Sequence, residues 1–218
     1  MVTEAALAPR TATHGRTLAL SLRRWALIAL PVLAGVFAIV GAAADPAVGL
    51  DGRPLYERYA ANPDPLQWKS FGFHWSYACW TMIAFLLALV VRARGVWIAN
   101  VALVLGFVGA TTLPGLLVVD FYDSAIGQVA GVDTTVRVNE AMESMWAIQA
   151  IAGPGVFSAI FSLPVAAVAA WRAGIVRWWA VAAVVAGIVA FGGSSVAVWG
   201  TRYRGLLRRL RLRARAQR

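Results

Sequence analysis

Five side chains have the types and spacing to do chemistry: His74, Asp120, Asp123, Glu140 and Glu143. Imidazole with carboxylates is a donor set for zinc or manganese, and the same groups can hold or relay a proton. His74, Asp120 and Asp123 are the candidate metal ligands, and all five are candidate acid–base groups. A plainer reading stands beside this one. A histidine at the edge of an apolar run often bonds a Tyr, a Ser or a backbone carbonyl, and loop acids are usually solvated. Glu140 and Glu143, at i and i+3, then mark the polar face of an entering helix shared with Ala147. On that reading no catalytic residue is assigned and no cofactor is expected; a divalent metal is the alternative. No GxxxxGK phosphate loop, HExxH or Gly-x-Ser-x-Gly elbow occurs. A haem held by two histidines would need a second His at depth, and His14 lies in the N-terminal segment. The single Cys79 excludes an internal disulfide and reads as a small buried hydrophobe.

The elements that must position these groups are membrane helices. The 218 residues are 60% hydrophobic and 14% charged, against ~25% charged in an average globular domain. Apolar runs predict an all-α, polytopic transmembrane helix bundle of about five spans: 25–44, 71–91, 95–119, 146–171 and 178–199. Residues 1–24 form an N-terminal segment and 201–218 a basic tail. Span one is preceded by basic residues and followed by Ala42-Ala43-Ala44, as in a signal peptide. Its length exceeds the ~7–15 residues of a cleaved apolar region, which favours an uncleaved anchor. Residues 45–70 and 120–145 are the two polar loops. The first is broken by prolines, with a short surface helix over Leu55–Ala61 that puts Tyr56 and Tyr59 at the interface. Pro114 should kink span three. At equal depth His74 faces Thr111, Thr112 or that kink, and Asp120 lies ~10 Å further out by the helical rise. Trp residues cluster at span ends, as expected of interfacial belts.

Nine of the ten acids lie in the two long loops, whereas the short turns carry Arg92, Arg94, Arg172 and Arg177 and no acid. The positive-inside rule therefore puts the short turns and the N-terminus in the cytoplasm and the acidic loops outside a plasma (inner) membrane. The tail argues the other way. Its eight arginines would lie outside, giving twelve basic residues there against eight inside. Re-entry of span five at Gly192-Gly193-Ser194-Ser195 would return the tail to the cytoplasm, provided the irregular backbone is shielded.

Tyr203, Leu207, Leu210 and Ala214 make a stripe along an amphipathic basic helix suited to anionic lipid headgroups. Nucleic acid is disfavoured as a partner, since no fold surrounds the patch. Small-xxx-small pairs (Ala34/Ala38, Gly106/Ala110, Ala183/Gly187, Ala186/Ala190) suit close helix packing within the chain or in a homo-oligomer. The layout, with His74-Trp75 opening a hairpin that closes on Asp120-Phe121-Tyr122-Asp123, resembles small multi-span integral membrane proteins of high-GC actinobacteria; the resemblance implies no activity. Three function classes follow. The first is a non-enzymatic bundle acting as scaffold or sensor, with an outward acidic surface and a possible protein partner. The second is a membrane enzyme or metal-dependent protein built on His74, Asp120 and Asp123. The third is a small-solute or proton pathway through Asn100, Thr111, Thr112, Gln149, Ser158, Ser194 and Ser195.

Overall fold

A computed structural model describes the chain from residue 10 to residue 189, with side chains from residue 20. It is helical in almost every part: α1 (Arg10–Ala44), α2 (Gly52–Ala61), α3 (Pro63–Val90), α4 (Val96–Ala130), α5 (Val132–Glu143), α6 (Trp146–Arg172) and α7 (Trp178–Val189). Four helices are long and apolar enough to cross a membrane: Leu20–Ala44 of α1, then α3, α4 and α6. The chain is a membrane-embedded helical bundle. The second half of the expected fifth span, the basic tail and the amphipathic helix expected there, and Ser194 and Ser195 lie outside the described residues.

The helices outrun the apolar spans. α3 starts at Pro63, eight residues before Phe71. Pro63 and Pro65 open this helix rather than break the chain, because the first turn has no intrahelical partner for its N–H groups in any case. α4 continues through Pro114 and past Val119 to Ala130, so Asp120 and Asp123 sit on a helix, not in a loop. Its 35 residues span ~52 Å at the helical rise, well beyond a ~30 Å hydrocarbon core. Both polar loops fold into short helices. α2 covers the expected Leu55–Ala61 helix, but Tyr56 and Tyr59 are buried rather than interfacial, packed with Ala47, Leu55 and Leu66. Apolar positions at i, i+1 and i+4 of α2 make that face, and a neighbouring helix end covers it. α5 stops at Glu143, and Ser144–Met145 break the helix before α6. Glu140 and Ala147 therefore do not share one helical face.

Helices α3, α4 and α6 pack on one another, and α1 packs against α3. Contact is close because the seams are lined by small residues. A Cβ on Gly109 of α4 would lie 2.6 Å from the Ala159 Cα of α6. A Cβ on Gly155 would run into the Thr112 side chain, and one on Gly72 of α3 into the backbone of Gly41 in α1. Ser76 adds a hydroxyl donated to the Ala34 carbonyl of α1 (2.9 Å), and the Trp80 indole donates to the Ala159 carbonyl (3.1 Å). Such packing and interhelical bonding are what associates helices in lipid, where the hydrophobic effect gives no preference. An Ala-rich cluster (Ala84, Ala88, Ala99, Ala102, Ala166, Ala170) closes the end carrying the basic turns. There Gly95, at φ 89°, turns α3 into α4; its own Cβ would strike the Ala169 carbonyl at 2.7 Å.

The opposite end is roofed by α2 and α5, which contact each other and the C-terminal part of α4. Exposed Trp25, Trp97, Trp171 and Trp178 lie towards the basic-turn end, and exposed Trp68, Trp75 and Trp146 towards the roofed end. Two aromatic belts bracket the apolar stretch between them.

Candidate functional site

The roofed end collects the chain's polar chemistry, and its centre is Lys69. This residue stands on α3, 21 positions before Val90, or ~32 Å along the helix from the basic turn. Lys69 is buried, at 7% exposure. Its ammonium bonds the Asp120 carboxylate of α4 at 2.8 Å and donates a hydrogen bond to the Tyr59 hydroxyl of α2. Three helices, α2, α3 and α4, meet on one nitrogen. A primary ammonium has three donors and no acceptor, so burial is tolerable only with acceptors at hand. The Tyr59 phenol is pushed up to about 12, chiefly by burial and next by the Asp120 charge, with Lys69 opposing.

A second knot ties down α5. The buried Asp123 carboxylate accepts from the Asn139 amide at 2.6 Å, and the Asp123 carbonyl accepts from the fully buried Thr135 hydroxyl at 3.4 Å. Asn139 also donates to the Thr135 carbonyl (3.1 Å). Ser124 on α4 donates to the Tyr59 carbonyl (2.8 Å), joining the two knots through α2. A Cβ on Gly127 would stand 2.8 Å from that of Ala60, so the absence of a side chain there is what lets α2 lie on α4. Outside these knots Arg53 bridges Glu57 (2.9 Å) and Asp133 on α5 in the open, where solvent screening leaves such pairs little weight.

The five residues singled out by type fall in separate places. Asp120 and Asp123 share one stretch of α4 but serve different partners, Lys69 and Asn139. His74 is exposed, and its ring meets that of Trp75 edge-on at 5.4 Å. Glu140 and Glu143 are exposed on α5. Among the described residues no group of three or more His, Cys, Asp or Glu is placed to hold a metal ion. The candidate polar path is likewise dispersed. Thr111 and Thr112 donate to carbonyls of their own helix at Phe107 and Val108, while Asn100 and Gln149 are exposed. Gln149 donates to the Glu143 carbonyl across the α5–α6 break (3.3 Å).

Lys69 is inconspicuous in the sequence because it precedes the uncharged run and falls among the residues of a polar loop. One signal was available: it is the chain's only lysine, against 19 arginines, wedged between Trp68 and Phe71. An isolated ammonium beside a span's aromatic rim is a candidate for a long stem in lipid with a bonded head. Set against known protein families, curated proteins and solved structures, the chain finds no match.

Proposed function

We propose that the chain is a non-enzymatic membrane bundle, a scaffold or sensor, whose helical roof presents an acidic surface on the outer side. One observation carries this reading: the deepest titratable groups of the roofed end are engaged in fastening the roof to the spans. Lys69 is held by Asp120 and Tyr59, and Asp123 by Asn139. A general acid, base or nucleophile needs a proton or lone pair within reach of a substrate, and groups committed to one another offer neither. What the roof turns outward is most of the remaining carboxylates: Asp51, Glu57, Asp64, Asp133, Glu140 and Glu143 are all exposed. The short Arg-bearing turns at the other end support a cytoplasmic N-terminus.

Two measurements on the full-length protein test this. An impermeant thiol reagent applied to intact cells should label Asp51→Cys and Glu140→Cys on the roof but not Arg94→Cys at the basic turn. The reverse pattern overturns the orientation. Purified protein dialysed against zinc or manganese should bind neither stoichiometrically. A bound equivalent lost in His74→Ala or Asp120→Asn would replace this reading by the metal-dependent one.

A further inference from the structure

An open groove of about 810 Å³ lies where the end of α1, the middle of α2 and the first turn of α3 converge. Its walls have two characters. Towards the membrane it is lined by Val40 and Ala43, close to the end of the Leu20–Ala44 span, with Trp68 at its rim. Towards the roof it is lined by Arg58, Asp45 and Asp64. These three charges are not paired with one another; no ion pair among the described residues includes any of them. The exposed Arg58 guanidinium has no side-chain partner there. Asp45 uses Oδ1 for the Ala47 N–H (2.9 Å) and Asp64 uses Oδ1 for the Gln67 amide (3.1 Å), which leaves Oδ2 open on both.

We propose that this groove seats a phosphatidylethanolamine-type lipid, its phosphate on Arg58 and its primary amine on the Oδ2 atoms of Asp45 and Asp64. The charges select among headgroups. An anionic headgroup would bring its charge to a groove whose own balance is one base to two acids. A lone cation would leave Arg58 unanswered. A zwitterion answers both signs, and guanidinium suits a phosphate that offers two oxygens. Two open carboxylate oxygens favour an ammonium with N–H donors over a quaternary amine, which has none. The membrane-facing wall continues into the exposed apolar face of α1, where Leu33, Val36 and Ile39 can run beside acyl chains. The site does not depend on the roof having a protein partner, so it stands or falls separately from the scaffold reading.

The test is lipid retention by the full-length protein in detergent, with phosphatidylethanolamine, phosphatidylcholine and phosphatidylglycerol of identical chains offered in equal amounts. Retained lipid is counted by native mass spectrometry. Phosphatidylethanolamine should be kept over phosphatidylglycerol. Arg58→Gln should lower its retention about tenfold, the size of one charge-assisted hydrogen bond. Asp45→Asn/Asp64→Asn should remove the preference for ethanolamine over choline. Equal retention of all three lipids by the wild type overturns the proposal, as does undiminished retention by Arg58→Gln. Lipid-free helical melting, expected to match wild type because Arg58 and Asp64 are exposed and Asp45→Asn keeps an Oδ1 acceptor for the Ala47 N–H, separates loss of the site from loss of the fold. Should a variant fail to fold, the wild-type preference between phosphatidylethanolamine and phosphatidylglycerol decides alone.

Discussion

Lys69 and Asp120 should behave as a coupled unit, whose joint replacement costs far less than the sum of breaking it from each side. The 2.8 Å separation corresponds to ~6 kcal/mol of attraction at an effective dielectric of ~20. Desolvation offsets most of that, at several kcal/mol per buried ion, so the intact pair adds little over a well-packed apolar pair. Removing one partner is different, because the survivor keeps its desolvation cost and loses its compensation. The two survivors are not equivalent: the Lys69 side chain is 9% exposed and that of Asp120 23%. Asp120→Leu strands the deeper charge and should destabilise by ~3 kcal/mol; Lys69→Met leaves a carboxylate with some water and should cost ~2 kcal/mol. The double variant still deprives the buried Tyr59 hydroxyl of its Lys69 partner and should cost ~2 kcal/mol, not the ~5 of the sum, for a coupling near 3 kcal/mol. Equilibrium unfolding of helicity in mixed micelles measures the totals. A local probe is provided by Thr135→Cys in a Cys79→Ala background, since Thr135 is fully buried under the roof. Thiol labelling there should quicken in both single variants before helicity is lost. If Asp120→Leu stays within ~0.5 kcal/mol of wild type, or the double variant equals the sum of the singles, the pair does not hold the roof in the way described.

Other expectations follow from the same geometry. Gly109→Ala drives a Cβ to 2.6 Å from backbone that cannot move aside, and should cost ~1–3 kcal/mol in micelle unfolding, whereas Gly115→Ala meets nothing within 4 Å and should be neutral or slightly stabilising. Asn139→Asp sets a second carboxylate against Asp123, so its melting temperature should fall below that of Asn139→Leu at pH 7, with the deficit shrinking as acid neutralises one of the two. Tyr59 should ionise late. The wild-type minus Tyr59→Phe difference spectrum should show ionisation near pH 12 and none at pH 10. Because its folded pKa is raised above the ordinary value of 10, the stability tied to it is complete below pH 10 and is lost as pH rises through about 12. A phenolate signal from Tyr59 at pH 10 would mean that α2 is not seated on α3 and α4.

The membrane bundle was legible because hydropathy over ~20 residues carries its own physics: no other environment accepts a run like Trp25–Ala44 or Gly95–Val119. Helix ends were not legible from the same signal. Hydropathy stops where charge begins, but hydrogen bonding does not, and α4 carries its helix through Asp120 and Asp123 to Gly131, a glycine at φ 83°. The packing seams were half visible. Spacing within one helix drew attention to Ala34 and Gly106, and both are buried at seams. The closest approaches, Gly41 to Gly72 and Gly109 to Ala159, pair residues on different helices, and periodicity along one helix cannot say which neighbour it meets.

Residue type misled most at the site. Histidine and clustered acids draw attention because their unperturbed chemistry is versatile, yet what decides a group's role is what it faces once the chain is folded. Asp120 and Asp123, three residues apart, lie on neighbouring arcs of α4 roughly 60° from each other, from three steps at ~100° per residue. That rotation is enough to send one to α3 and α2 and the other to α5. His74, one to two turns along α3 from Lys69, is rotated away and faces outward. Had Lys69 been an arginine, like every other base in the chain, the site could not close in the same way: a planar fork needs acceptors in one plane, whereas an ammonium can take a carboxylate from one helix and a phenol from another at tetrahedral angles. Lys69→Arg should therefore keep the charge and still loosen α2, with faster labelling at Thr135→Cys. Labelling as slow as in wild type would show that charge alone, and not the geometry of the ammonium, seats the roof.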